Sequence, residues 1–194
     1  MLITSDFDVA QPIDKVWAFF DDIAGVAACL PGAELTDDLG DDKYLGKVEV
    51  RMGPVKLAFA GTANITERDN DAKRIVIDAA GADEKGRGQA AMGVTASLVP
   101  VAGGTKVDVA MDLQLSGAAA QYGRGMIADV TAVLMRDFAT NMQNRITAIE
   151  KGLSPDQVAT AAPAGGFAIA MRAARMALTR VLRRFFAPYQ HIPG

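Results

Sequence analysis

The sequence predicts an α+β domain, an antiparallel sheet covered by a long helix, with a second, basic amphipathic helix tethered behind it. Three observations carry that reading. Apolar residues recur with period two between Gly32 and Gly117, with period three to four from about residue 118 to 151, and again on one side of a helical wheel over 167–187. Between the two helical stretches lies GLSPDQVATAAPAGG, residues 152–166, whose prolines, glycines and small side chains predict a flexible linker.

The elements follow in order. LITSDFDVA (residues 2–10) alternates Ile3, Phe7 and Val9 with Asp6 and Asp8, as a half-buried strand does. Pro12 then opens a short helix with Ile13, Val16, Trp17 and Phe20 on one face, continuing loosely to Leu30 until Pro31-Gly32 ends it. Strands are expected around Tyr44–Met52 and, after the Gly53-Pro54 turn, Val55–Thr66. Further strands are expected at Arg74–Ala82, Gly88–Val99 and Thr105–Leu115, joined by short turns as in a meander. Ile127, Val130, Leu134, Phe138, Met142, Ile146 and Ile149 then mark one long amphipathic helix that has to cover the apolar face of the sheet. The domain is expected to span residues 1–151.

Composition narrows the chemistry. Half of the 194 residues are hydrophobic but only 6% are aromatic, so aliphatic residues and nine methionines fill the interior. Cys29 and His191 are the only cysteine and histidine, which excludes an internal disulfide and the usual zinc ligand sets. The N-terminal stretch has no basic flank or apolar core of a signal peptide, and no window reaches the roughly 18 apolar residues of a spanning helix, so a cytoplasmic protein is expected.

Charge is divided along the chain. Every acid lies at or before Asp156, whereas Arg172, Arg175, Arg180, Arg183 and Arg184 follow it. Those five leave 15 basic residues against 23 acids, or −8, for residues 1–157. On the wheel, Phe167, Met171, Ala174, Leu178, Val181, Leu182 and Phe185 collect opposite the five arginines, with Ile169 and Met176 as exceptions. Such a helix suits an anionic leaflet: each arginine contributes about 1 kcal/mol there, and each large apolar side chain roughly 1.5 to 3 kcal/mol before ordering costs. A partner's groove or the acidic body itself are the competing docking places. No nucleic-acid partner is expected.

Four stretches carry a family resemblance: CLPGAE (Cys29–Glu34), GPVKLAFAGTANITERD (Gly53–Asp69), GADEKGRGQA (Gly81–Ala90) and, most specifically, LSGAAAQYGRGMIADV (Leu115–Val130). With the order of elements, they resemble the START-like (SRPBCC) superfamily and, within it, the carbon monoxide dehydrogenase CoxG family. The resemblance implies a helix-grip fold with an apolar cavity between a curved sheet and the long helix. It also implies association with a carbon monoxide dehydrogenase or a related molybdenum- or hydrogen-oxidising respiratory enzyme, membrane recruitment, and quinone or lipid handling.

No convergent set of ionisable groups for an enzyme can be assembled from the inward phases of the strands. Cys29 reads as an unreactive thiol, and Gly86-Arg87-Gly88, with no helix after it, as a tight turn rather than a phosphate loop. Met52, Met92, Met111 and Met126 fall on interior phases, where methionine suits either a pocket for a long apolar ligand or an ordinary core. With the resemblance, the cavity is expected to be lined by Val50, Met52, Phe59, Met92, Met111, Leu113, Tyr122, Met126, Val130 and Leu134. Tyr122 and Arg124 stand at its mouth, either as partners for a quinone head group or facing solvent. The expectation is a non-enzymatic protein that carries a quinone, menaquinone for preference, between the cytoplasmic leaflet and its oxidoreductase. A ligand-free recruitment adaptor is the alternative.

Overall fold

The structure, a computed structural model, describes residues 1–152. Strand β1 (Leu2–Val9) alternates exposed and half-buried residues, as its sequence requires. Helix α1 (Ile13–Phe19) starts behind Pro12, whose carbonyl accepts the Lys15 and Val16 N–H groups. The helical region expected up to Leu30 is two helices. The chain breaks at Phe20–Asp22, and the Asp22 carboxylate caps α2 (Ile23–Cys29) by accepting the Gly25 N–H at 2.9 Å.

Six strands follow: β2 (Ala33–Gly40), β3 (Lys43–Met52), β4 (Val55–Asp69), β5 (Arg74–Asp83), β6 (Gln89–Val101) and β7 (Gly104–Leu115). They form one antiparallel sheet with β1, in the order β1-β7-β6-β5-β4-β3-β2. β2 is a strand that the alternation did not single out. It is an edge strand, exposed along most of its length and interrupted by two register shifts. A turn of 3-10 helix (Ala119–Gln121) leads into α3 (Arg124–Glu150), which lies across the concave face of the sheet.

Two groups of buried side chains anchor α3. One gathers Val16, Trp17 and Phe20 from the α1 segment, Ile75, Leu98, Val107 and Val109 from the sheet, and Met142 and Ile146 from α3. The other, at the opposite end of the helix, holds Met52, Leu57, Phe59, Ala119 and Ile127. Polar clamps fix the C-terminal half of α3. The Gln143 side-chain oxygen accepts the Ala10 N–H at 2.6 Å, Asn141 donates to the Cys29 carbonyl at 2.9 Å, and Glu150 accepts from Gln11 at 2.7 Å and pairs with Lys15. The linker expected over residues 152–166 lies, but for Gly152, outside the described residues, and so does the tail helix with Phe167, Met171, Arg172, Arg175, Leu178, Arg180, Leu182, Arg183, Arg184 and Phe185.

A candidate ligand-binding site under the long helix

Cross-strand register decides what faces α3. Gly46, Gly61, Gly81 and Ala90 stand opposite one another across β3, β4, β5 and β6, and the next row is Tyr44, Ala63, Ala79 and Met92. The glycines and alanines of these rows fall between the two buried groups, with Tyr44 and Met92 at the ends of the second row. Gly61 is also demanded by the backbone, since a Cβ there would lie 2.0 Å from the Ala80 carbonyl oxygen, so the same residue lets β4 and β5 close tightly.

Burial along the concave face is uneven. At the two ends inward side chains such as Leu57, Ile75 and Val107 are fully buried. In the middle Val48, Val50, Ala63, Ile65, Ile77, Ala79, Met92 and Leu113 are only half-buried, although they belong to interior phases of a sheet that lies under a helix. Side chains in a close-packed core of this kind have almost no exposure. The middle of the grip therefore retains apolar surface that solvent reaches.

The expected lining residues distribute as follows. Met52 and Phe59 are buried in the second group, with Val50, Leu113 and Tyr122 packed on it. Met111 is buried in the first group, with Met92 against it. On α3, Val130 is buried and Leu134 half-buried, while Met126, expected inward, is 45% exposed near the start of the helix. The four methionines thus share no single neighbourhood. Arg124 is exposed as the first residue of α3.

The end of the site near Ile127 is closed by three loops, and the carboxylate at the end of β5 organises them. Asp83 has its side chain 1% exposed and is held by Arg87, whose Nε and terminal nitrogen both donate at 2.8 Å. The N–H groups of Ala58, Lys85 and Arg87 also donate to it, and Arg87 reaches on to the Lys56 carbonyl at 2.7 Å. The Arg87 guanidinium, followed by these backbone donors, outweighs burial and holds the Asp83 carboxyl well below the usual carboxylate range. The loop after β5 then presses on the turn after β7. A Cβ on Gly88 would lie 2.1 Å from the Ser116 carbonyl oxygen, and one on Gly117 2.1 Å from that of Arg87. Gly86-Arg87-Gly88 is thus part of a clamped turn, and the i, i+4 spacing of Asp83 and Arg87 was the signal for it.

Burial pushes the Cys29 thiol up to about 11, against a smaller opposite effect of Arg145, which leaves it no thiolate near neutral pH. A separate groove of about 470 Å³ runs on the flank of the domain between β1 and α3, lined by Asp6, Phe7, Asp8, Met135, Arg136 and Gln143 among others. It lies beside the grip, not inside it. No helix among the described residues is long and apolar enough to cross a membrane.

A seven-stranded antiparallel sheet gripping a long C-terminal helix, with reachable apolar surface between them, defines the START-like, helix-grip class. Solved structures of that fold align over most of their length. A conserved protein from Geobacillus kaustophilus has a TM-score of 0.68 at 19% identity, covering 76% of this chain and 95% of that one. The Zhui aromatase/cyclase of a Streptomyces species has a TM-score of 0.57 at 14% identity, with 79% and 99% covered. A protein from Thermus thermophilus has 0.55 at 15% identity, with 77% and 99% covered. No curated protein sequence matches the chain. The chain belongs to the carbon monoxide dehydrogenase CoxG family, whose profile matches residues 6–147.

Proposed function

We propose that this protein is a non-catalytic lipid carrier. It takes up a respiratory quinone, menaquinone first among them, between the sheet and α3, and passes it between the inner face of the cell membrane and a carbon monoxide dehydrogenase-like oxidoreductase. The observation that carries the reading is the half-buried apolar middle of the concave face, from Val50 to Leu113, flanked by tightly packed ends. An isoprenoid chain leaves a bilayer at a cost proportional to the apolar area it exposes, and an apolar cavity removes that cost. The carboxylate on this face, Asp83, is consumed by Arg87 and backbone donors, so it is not offered as a catalytic acid or base. The arginine-bearing tail supplies the tether that raises the local concentration of the domain at an anionic leaflet.

Native mass spectrometry with lipid extraction tests this on protein from a quinone-containing host, full-length and truncated after Lys151. A stoichiometric quinone adduct on both forms, with liposome binding at least tenfold weaker after truncation, is expected. A folded protein without an adduct on either form would turn the reading to the recruitment adaptor. An adduct on the full-length form alone would make the tail a lipid-binding surface and leave the grip empty.

A further inference from the structure

The domain is electrically polarised along α3. At the end where α3 begins, the loops of residues 51–56, 83–88 and 116–126 carry Arg51, Lys56, Lys85, Arg87 and Arg124 against Asp83 and Glu84, five bases to two acids. Asp83 is sealed inside by Arg87, and Glu84 is paired with Lys47 at 2.8 Å. Arg51 and Lys56 share Glu49 from β3. At the opposite end, residues 10–22, 36–43, 67–74 and 99–106 carry ten acids against six bases. The two groups of loops are separated by the length of the sheet, because each antiparallel hairpin places its turns alternately at one end and the other. A body that is −8 in total thus shows a net +3 at one pole and −4 at the other. At the basic pole Gly53 and Pro54 form an exposed turn tip, and Met126 stands 45% exposed one helical turn from Gly123.

We infer that the basic pole, Arg51, Lys85, Arg124 and the exposed Met126 above all, is a second membrane-contact surface that sets this end of the domain on an anionic lipid surface. This rests on the carrier reading, which brings the domain to the bilayer. The chemistry favours lipid. The pole offers dispersed, exposed cations with one apolar contact and no groove, which matches a surface of anionic head groups, while the acidic pole is repelled from the same surface and fixes the orientation. The contact is independent of the tail, which leaves the domain at the other end of α3.

The test uses the full chain with an environment-sensitive fluorophore on Met126→Cys; the buried Cys29 thiol does not compete for label. The probes are vesicles of phosphatidylcholine alone and of phosphatidylcholine with phosphatidylglycerol. A blue-shifted, brighter probe on the anionic vesicles only is expected. Each Lys or Arg near such a surface is worth about a fivefold change in occupancy, so Arg51→Gln, Lys85→Gln and Arg124→Gln together lower the docked population about a hundredfold. Lys43→Gln with Arg136→Gln and Lys151→Gln, which remove as many charges elsewhere, leave the signal within a few fold. A probe that stays water-like on vesicles that bind the protein overturns the proposal, as does an equal loss in both variants. A probe response confined to added oxidoreductase means that the pole is a protein interface and overturns it too. A quinone-free protein that still docks by this pole overturns only the ligand reading.

Discussion

Replacing Ala79 by leucine separates a cavity from a packed core in one measurement. Ala79 lies at the centre of the concave face, opposite Ala63 and Met92 in the neighbouring strands, and is half-buried. Leucine adds three carbons. If they enter apolar space that solvent now reaches, each contributes about 0.8 kcal/mol, or about 2.4 kcal/mol in all. Loss of rotamer freedom takes back about 0.5 to 1 kcal/mol. The expected outcome is a delipidated protein stabilised by about 1.5 kcal/mol in urea unfolding with an unchanged m-value, and a quinone adduct weakened at least tenfold because its volume is occupied. In a close-packed interior the same side chain would be forced off its rotamers and would destabilise by about 1 to 3 kcal/mol. A loss of about 1 kcal/mol or more with the adduct intact refutes the cavity argument, including the inference drawn from the half-buried middle of the sheet.

Other perturbations follow from particular residues. Asp83→Asn removes the charge that Arg87 encloses and lowers the thermal midpoint at neutral pH. In the native protein the Asp83 contribution is complete above the unfolded carboxylate value of about 3.9 and is lost as pH falls through the lower folded-state value, so the variant also has the flatter acid-unfolding profile. Cys29 resists a disulfide exchange reagent in the folded protein and reacts on denaturation. Its raised pKa adds stability that is full below about 9 and lost as pH rises towards about 11. Gly125→Ala, in the first turn of α3 with no atom within 4 Å of the added Cβ, raises stability by about 0.5 to 1 kcal/mol, whereas Gly88→Ala or Gly117→Ala lowers it, as calorimetry would show.

Much of the architecture is legible in the sequence, because burying one face imposes a period. The alternation around Val48–Met52 and Val55–Ile65, and the three-to-four spacing from Ile127 to Ile146, are direct imprints of the concave face and of the helix that covers it. β2 leaves no such imprint. ELTDDLG is exposed along most of its length and bulged twice, so no side-chain period is enforced. The break between α1 and α2 was signalled by Asp22 as a cap, but the apolar residues on either side obscured it. The candidate site is less legible, for a geometric reason. That Gly46, Gly61, Gly81 and Ala90 line up depends on the hairpin registers of three strand pairs and on the irregularity after Ile65, none of which a single strand's pattern contains. Met126 shows the complementary error: a correct helical phase near the first turn, where no strand reaches over to cover it.

The direction of α3 has a mechanical consequence. Its 27 residues rise about 40 Å, so the chain exits at Gly152 some 40 Å from Arg124. With the Arg124 pole resting on a bilayer, as inferred above, a domain standing on end holds Gly152 about 40 Å above the surface. Each 10 Å by which Gly152 comes closer to the bilayer has to be met by tilting this rod, because α3 is continuous from one pole to the other. The helix is thus a lever: whatever holds the chain beyond Gly152 sets the angle at which the domain stands on its basic pole.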